Sequence, residues 1–239
     1  MKPGFARALA AAGVLAVLLD LAIALVVAPP AANFDAPLSQ RLFYIHVPAA
    51  IAAYVGFTLT MLAGVQFLRT RDARWDRLAA SSAEVGALLT TIALLTGILW
   101  SRVEFFSAGT TGGFAFALLG DPKFVTTAAL WLVFLGYLAL RRGVERDEAR
   151  ARLSAVYGIL GYVGVPLSYL SSRFSPHPDF LARGSSLAPG LGALLWGSVV
   201  LWLLVLAALV ANRLSLEERA HASQQEREAA LLATGGEAA

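Results

Sequence analysis

The sequence predicts an all-α integral membrane protein with six transmembrane helices and both termini in the cytoplasm. Three observations carry this. Only 15% of the 239 residues are charged and 58% are apolar, whereas a water-soluble domain uses about 25% charged residues to coat its surface. Six apolar runs lie near the roughly 20 residues that an α-helix needs to cross a hydrocarbon core about 30 Å thick. Lys and Arg also alternate between rich and poor connections, the asymmetry that sets orientation in a membrane.

The first run, 8–27, follows Lys2 and Arg7. It outlasts the roughly 7–15 apolar residues of a secretory signal, so it reads as a retained span. The second is 47–68 and the third 82–100, with Glu84 near its start. The fourth, 124–140, opens after Asp121-Pro122. That pair reads as a helix start, with Asp at the N-cap and Pro at the first helical position. In the fifth, 153–170, Gly158, Gly161 and Gly164 recur at three-residue spacing, which lets helices approach closely. The sixth is 191–211. From Asn212 the chain turns polar and reads as an amphipathic or frayed helix ending in a disordered 233–239. Two units follow: a membrane domain at 1–211 and a cytoplasmic tail at 212–239.

Fourteen of the Lys and Arg residues fall before the first span, at 69–77, at 141–152 and in the tail. The other side holds five: Arg41, Arg102, Lys123, Arg173 and Arg183. The connections 28–46, 101–123 and 171–190 therefore face outward. They are longer than the inner ones and rich in Pro, Gly and aromatic residues, so chemistry is expected on the outer face. The net charge of +3 follows this topology, and no nucleic-acid partner is expected. With no cysteine, disulfides and thiolate metal sites are excluded for this chain alone. It has no G-x-x-x-x-G-K-[ST] loop to energise transport and no H-E-x-x-H, so an intrinsic enzyme is not expected.

Five features remain as candidates. His46, in Tyr44-Ile45-His46-Val47-Pro48, sits at the outer mouth of the second span, where a neutral imidazole can bind haem iron. The plainer alternative is a histidine that hydrogen-bonds near a helix start. Arg41 offers its fork of donors to a carboxylate such as a propionate. His177, between Pro176 and Pro178, is either a second ligand on the same membrane face or a solvated loop residue. The stretch 100–123 holds Trp100, Phe105, Phe106, Phe114 and Phe116. It reads as a re-entrant or surface helix, either a platform for a flat apolar ligand or a set of interfacial anchors. Asp20 is an ionisable group inside the first span, a functional mark by default, with Thr90, Thr91 and Thr96 as candidate partners.

The segment Gln40 to Ala50 resembles the outer mouth of the second span in the haem-handling cytochrome c assembly family, with Arg41, Tyr44, His46, Val47, Pro48, Ala49 and Ala50 in order. Thr96-Gly97 with Trp100 is similar to the family's third span. Asp121-Pro122-Lys123 with Thr126 is similar to the end of its tryptophan-rich motif. Val165-Pro166 through His177-Pro178 is similar to the approach to its second outer histidine. The tryptophan-rich stretch itself is without tryptophan here between Trp100 and Trp131, and Phe114 and Phe116 stand in as its apolar face.

The resemblance implies a non-enzymatic protein of the inner membrane that binds b-type haem non-covalently and transiently at its periplasmic face. His46 and His177 are then the axial ligands, Trp100, Phe114 and Phe116 the stacking surface, and Arg41, Asp121 and Lys123 the polar rim. It implies delivery to a periplasmic haem chaperone during cytochrome c maturation, alongside an ATP-binding subunit, a second membrane subunit and a small single-span membrane protein. Two other readings stay open: a six-span permease subunit of an ATP-driven exporter that does not handle haem, and a membrane cytochrome that transfers electrons.

Overall fold

A computed structural model describes residues 3–28, 37–104, 113–174 and 189–235. Among these residues the chain is helical apart from short turns. Helix α1 (Pro3–Ala22) loosens into one π-helical turn (Ile23–Val27). A 3-10 turn (Pro37–Ser39) leads into α2 (Gln40–Thr70), which is followed by α3 (Ala73–Glu104) and the short α4 (Gly113–Leu119). Next come α5 (Pro122–Gly143), α6 (Asp147–Gly161), α7 (Gly164–Ser171) with a closing 3-10 turn (Ser172–Phe174), and α8 (Pro189–Gly235). Six segments are long and apolar enough to cross a membrane: Arg7–Val27, Arg41–Thr70, Ala73–Val103, Pro122–Gly143, Asp147–Phe174 and Gly190–Ala220.

The six predicted spans are present, and their lengths differ for local reasons. α2 begins several residues before the apolar run and carries Pro48 inside it. The hydrogen bond lost there is outweighed by burial of Phe43, Tyr44, Pro48 and Ala49. The fifth pass is broken at Tyr162–Val163. Pro166 has no N–H to give to the Tyr162 carbonyl, which instead accepts from Val165 N at 2.9 Å. α8 continues without a break past Asn212. The predicted cap at α5 is present: Asp121 is extended and its Oδ1 accepts from Lys123 N at 3.0 Å, with Pro122 in the first turn.

α2 lies at the centre. It forms a tight antiparallel hairpin with α3, turned by Arg71 and Asp72. Arg71 adopts a left-handed conformation (φ 58°) and its N–H closes on the Phe67 carbonyl at 2.8 Å. Asp72 then caps α3 by accepting from Arg74 N at 2.9 Å. A Cβ on Gly86 would fall 2.7 Å from the Phe57 ring, and Phe57 stacks on Phe134 with centroids 3.7 Å apart, so a side chain at 86 would dislodge α5 as well. The glycines of the fifth pass do what their spacing predicts, admitting Tyr137 at Gly158, Val133 at Gly161 and Leu130 at Gly164. Leucines and valines such as Leu18, Val26, Leu95, Leu132, Leu160 and Val200 are exposed, as a lipid-facing surface requires.

α1 packs antiparallel on α8. Asp20 is buried there and accepts a 2.7 Å hydrogen bond from the indole N–H of Trp202. Its other oxygen, Oδ1, and the Ser198 hydroxyl one turn earlier on α8 are buried without a hydrogen-bond partner. Thr90, Thr91 and Thr96 are not its partners, because each donates to a carbonyl of its own helix and Thr91 also accepts from Trp131 Nε1 at 2.9 Å. Asp20 thus fastens the first pass to the last. Trp202→Phe is expected to lower stability by about 1–2 kcal/mol, the loss of one buried hydrogen bond inside a membrane bundle. The check is the unfolding midpoint in an SDS titration, and an unmoved midpoint would remove the fastening role.

The two ends of the bundle differ. One gathers His46, Trp100, Asp121 and Lys123. The other gathers arginines and carries ion pairs between helices. Arg141 meets Asp76 through two contacts, Nη1 to Oδ1 at 2.6 Å and Nη2 to Oδ2 at 2.9 Å, joining α5 to α3. Arg213 Nε meets Glu84 Oε2 at 2.6 Å, joining α8 to α3.

Candidate functional site

The site is built on three helix ends. His46, Ala50 and Tyr54 are spaced four apart on α2 and therefore share a face. Opposite lies the end of α3, with Ala93, Thr96, Gly97 and Trp100. The start of α5 supplies Asp121, Lys123, Phe124 and Thr127.

The His46 imidazole is half-buried and fixed. Nδ1 lies 2.8 Å from the Ala93 carbonyl oxygen and 3.3 Å from Thr96 Oγ1. A carbonyl only accepts, so Nδ1 carries the proton, and in the neutral ring the lone pair resides on Nε2. This is the arrangement that orients histidines which ligate metals, with one nitrogen held by a carbonyl and the ring fixed by it. The ring fits because position 97 is glycine: a Cβ there would stand 2.7 Å from His46 Cε1. Trp100 is buried behind it, with its centroid 6.0 Å from the imidazole and 5.8 Å from Phe43. Its position is that of a backstop for the histidine.

Beside His46 lies a cavity of about 60 Å³ lined by Ala50, Tyr54, Gly97, Leu118, Lys123 and Phe124, among others. That is room for a few waters, far less than a porphyrin occupies, so a macrocycle would lie across its mouth. The Lys123 ammonium donates to the Tyr54 hydroxyl at 3.1 Å and to the Ser168 carbonyl at 2.9 Å. Tyr54 and Ser168 hydroxyls are 2.8 Å apart, as are those of Ser168 and Thr127, and Thr127 donates to the Lys123 carbonyl at 2.7 Å. Donor directions follow in sequence. Thr127 gives its proton to the carbonyl and so accepts from Ser168, which in turn accepts from Tyr54. The ring of bonds thus runs one way, from Lys123 Nζ back to the Lys123 backbone, and clasps α2, α5 and α7 together. Asp121 is buried, with its Oδ1 engaged in the cap.

At the rim, Arg41 stands in the first turn of α2. Its Nε is buried with no hydrogen-bond partner, a donor of the kind that a carboxylate would satisfy. Phe114 is half-buried on α4, with the Arg102 guanidinium 5.4 Å from its ring centroid. Phe116 is on the same helix, and its side chain lies outside the described set. His177 lies outside the described residues, as do Phe105 and Phe106. Of the predicted site residues, the structure brings together His46, Trp100, Asp121 and Lys123 around one end of α2 and α3. Tyr54, Ser168, Thr127 and Gly97 complete that end. Gly97 carries a sequence signal through the Thr96-Gly97 resemblance and Tyr54 through its eight-residue offset from His46 on α2, whereas Ser168 and Thr127 carry none.

Residues 3–177 match the family model described as Cytochrome C assembly protein. Among curated relatives, the chain is 30% identical over 150 residues to Heme exporter protein C of Paracoccus denitrificans, covering 63% of this chain and 58% of that protein. It is 31% identical over 164 residues to Heme exporter protein C of Rhodobacter capsulatus, covering 69% and 63%. To Heme exporter protein C of Escherichia coli K12 it is 25% identical over 186 residues, covering 77% and 72%. The matched region thus spans about three fifths of the length of the first two relatives.

Proposed function

This chain belongs to the cytochrome c assembly protein family, and from that premise we propose that it handles haem in cytochrome c maturation, holding it at the outer face of the inner membrane and presenting it to a periplasmic haem chaperone. The observation that supports this reading most strongly is the His46 seat. A half-buried imidazole with Nδ1 bonded to the Ala93 carbonyl carries its ligating lone pair on Nε2 at the mouth of a helix bundle. Haem is cargo here, held and released.

The residues present fit that cargo. His46, through Nε2, and His177 would hold the iron, each by an imidazole nitrogen. Arg41, with its unsatisfied Nε, pairs a propionate, while Phe114 and Phe116 lay apolar rings against the macrocycle. Lys123, whose ammonium bonds to Tyr54 and Ser168, lines the same cavity. Gly97 and Trp100 set the imidazole in place. Haem held by imidazole and arginine side chains, without covalent attachment, would be released when a ligand of the chaperone takes the place of the imidazole on the iron. The arginine-rich end faces the cytoplasm, and the chain works with an ATP-binding subunit, a second membrane subunit and a small single-span membrane protein.

The test is spectroscopic. Protein purified from haem-replete cells is expected to show a Soret band, with the pyridine haemochrome of b-type haem and full extraction of the pigment into acidified acetone. Colourless protein from such cells, still folded and membrane-inserted, would overturn the proposal.

A further inference from the structure

At the end of the bundle opposite His46, the helices part around a half-open cavity of about 860 Å³. Its walls come from the ends of α2 and α5, the starts of α3 and α6, and the middle of α8. Phe67 and Leu138 supply an apolar side, and six arginines and five carboxylates supply the rest. Most of these charges answer each other. Asp76 is held by Arg141, Asp147 by Arg150 at 2.6 Å, and Glu84 and Glu217 share Arg213 at 2.6 and 3.7 Å. Among the described residues, no carboxylate lies within 4.0 Å of Arg71, Arg77 or Arg142. Arg71 instead leans 6.0 Å over the Phe67 ring.

The lining therefore carries one positive charge in excess: Arg71, Arg77 and Arg142 stand outside ion-pair contact, and among the described residues Glu148 is the one lining carboxylate that pairs with no arginine. A protein partner is a poor match: the connections at this end are two residues (Arg71, Asp72) and three residues (Val144 to Arg146) long, and the feature is a pit. A guanidinium fork matches phosphate oxygens in shape and charge, and basic pockets between transmembrane helices at the headgroup level take anionic lipid heads. An apolar wall beside the arginines suits the glycerol and ester region that follows such a head. The single surplus charge fits one monoanionic phosphodiester and not a zwitterion. We propose that this cavity is a binding site for the headgroup of an anionic glycerophospholipid, its phosphodiester seated among Arg71, Arg77 and Arg142.

The experiment is native mass spectrometry of the protein released from nanodiscs that contain phosphatidylcholine and phosphatidylglycerol in equal amounts. One retained lipid per chain is expected, with a roughly tenfold preference for phosphatidylglycerol, equivalent to about 1.4 kcal/mol. Arg77→Gln with Arg142→Gln should bring the preference to parity. If the double variant does not fold, Arg142→Gln alone, at an exposed position, should still cut the preference measurably. Equal retention of the two lipids by the wild type, or a preference untouched by these substitutions, would overturn the proposal. Displacement of the retained lipid by soluble glycerophosphoglycerol would overturn the lipid as occupant and leave a free phosphodiester in its stead.

Discussion

Purified His46→Ala protein is expected to carry no more than about a tenth of the haem of the wild-type chain. The magnitude follows from what is removed. Weakening even the groups around a metal ligand costs about 10- to 100-fold in affinity, and this substitution deletes the ligand itself. The fold should tolerate the change: the imidazole is half-buried, its Nδ1 bonds to a backbone carbonyl and to Thr96, and the carbonyl remains part of the helix ladder of α3. Soret absorbance per protein is the readout, with far-UV circular dichroism as the control. Added imidazole should recover part of the band, because the vacated space behind Gly97 admits a ring of that size. Undiminished absorbance would remove His46 as a ligand.

The second large effect lies at the other end of the bundle. Arg141→Met is expected to lower stability by about 3 kcal/mol, because it leaves the Asp76 carboxylate without its partner in a mostly enclosed position. The side chains of the pair are 15% and 13% exposed, so the water of the half-open cavity they border reaches only a small part of either group. The geometry is two-pronged, which excludes a casual surface contact. Removing both charges together, as Arg141→Met with Asp76→Leu, should restore most of the loss, since an apolar pair of similar volume replaces two costly desolvated ions. The SDS-unfolding midpoints of the two variants make the comparison. A single variant as stable as the wild type would show that the pair contributes nothing to the bundle.

Much of this architecture is legible in the sequence, for physical reasons that operate over short distances. Apolar length marks the passes, and the Asp121-Pro122 cap is a two-residue signal. The glycines at 158, 161 and 164 foretell close approach because nothing but a neighbouring side chain can fill the space they leave. What is not legible is pairing across the chain. Asp20 and Trp202 are 182 positions apart, and the threonines that look like natural partners are already committed to their own helices. Lys123 reads as a rim cation, yet its ammonium turns inward to Tyr54 and Ser168. In an apolar bundle an ammonium goes wherever oxygen atoms converge, and three helices had to be assembled before they did. His46 stands out at the mouth of the second span by position alone. Its tautomer depends on a carbonyl 47 residues away.

That carbonyl belongs to the main chain, and this has an evolutionary corollary. No replacement of the side chain at position 93 can delete the acceptor, so the orientation of the imidazole is insulated from drift at the very residue that enforces it. Selection would instead fall on position 97, where any added carbon intrudes on the ring, and on whatever keeps α3 straight between the two.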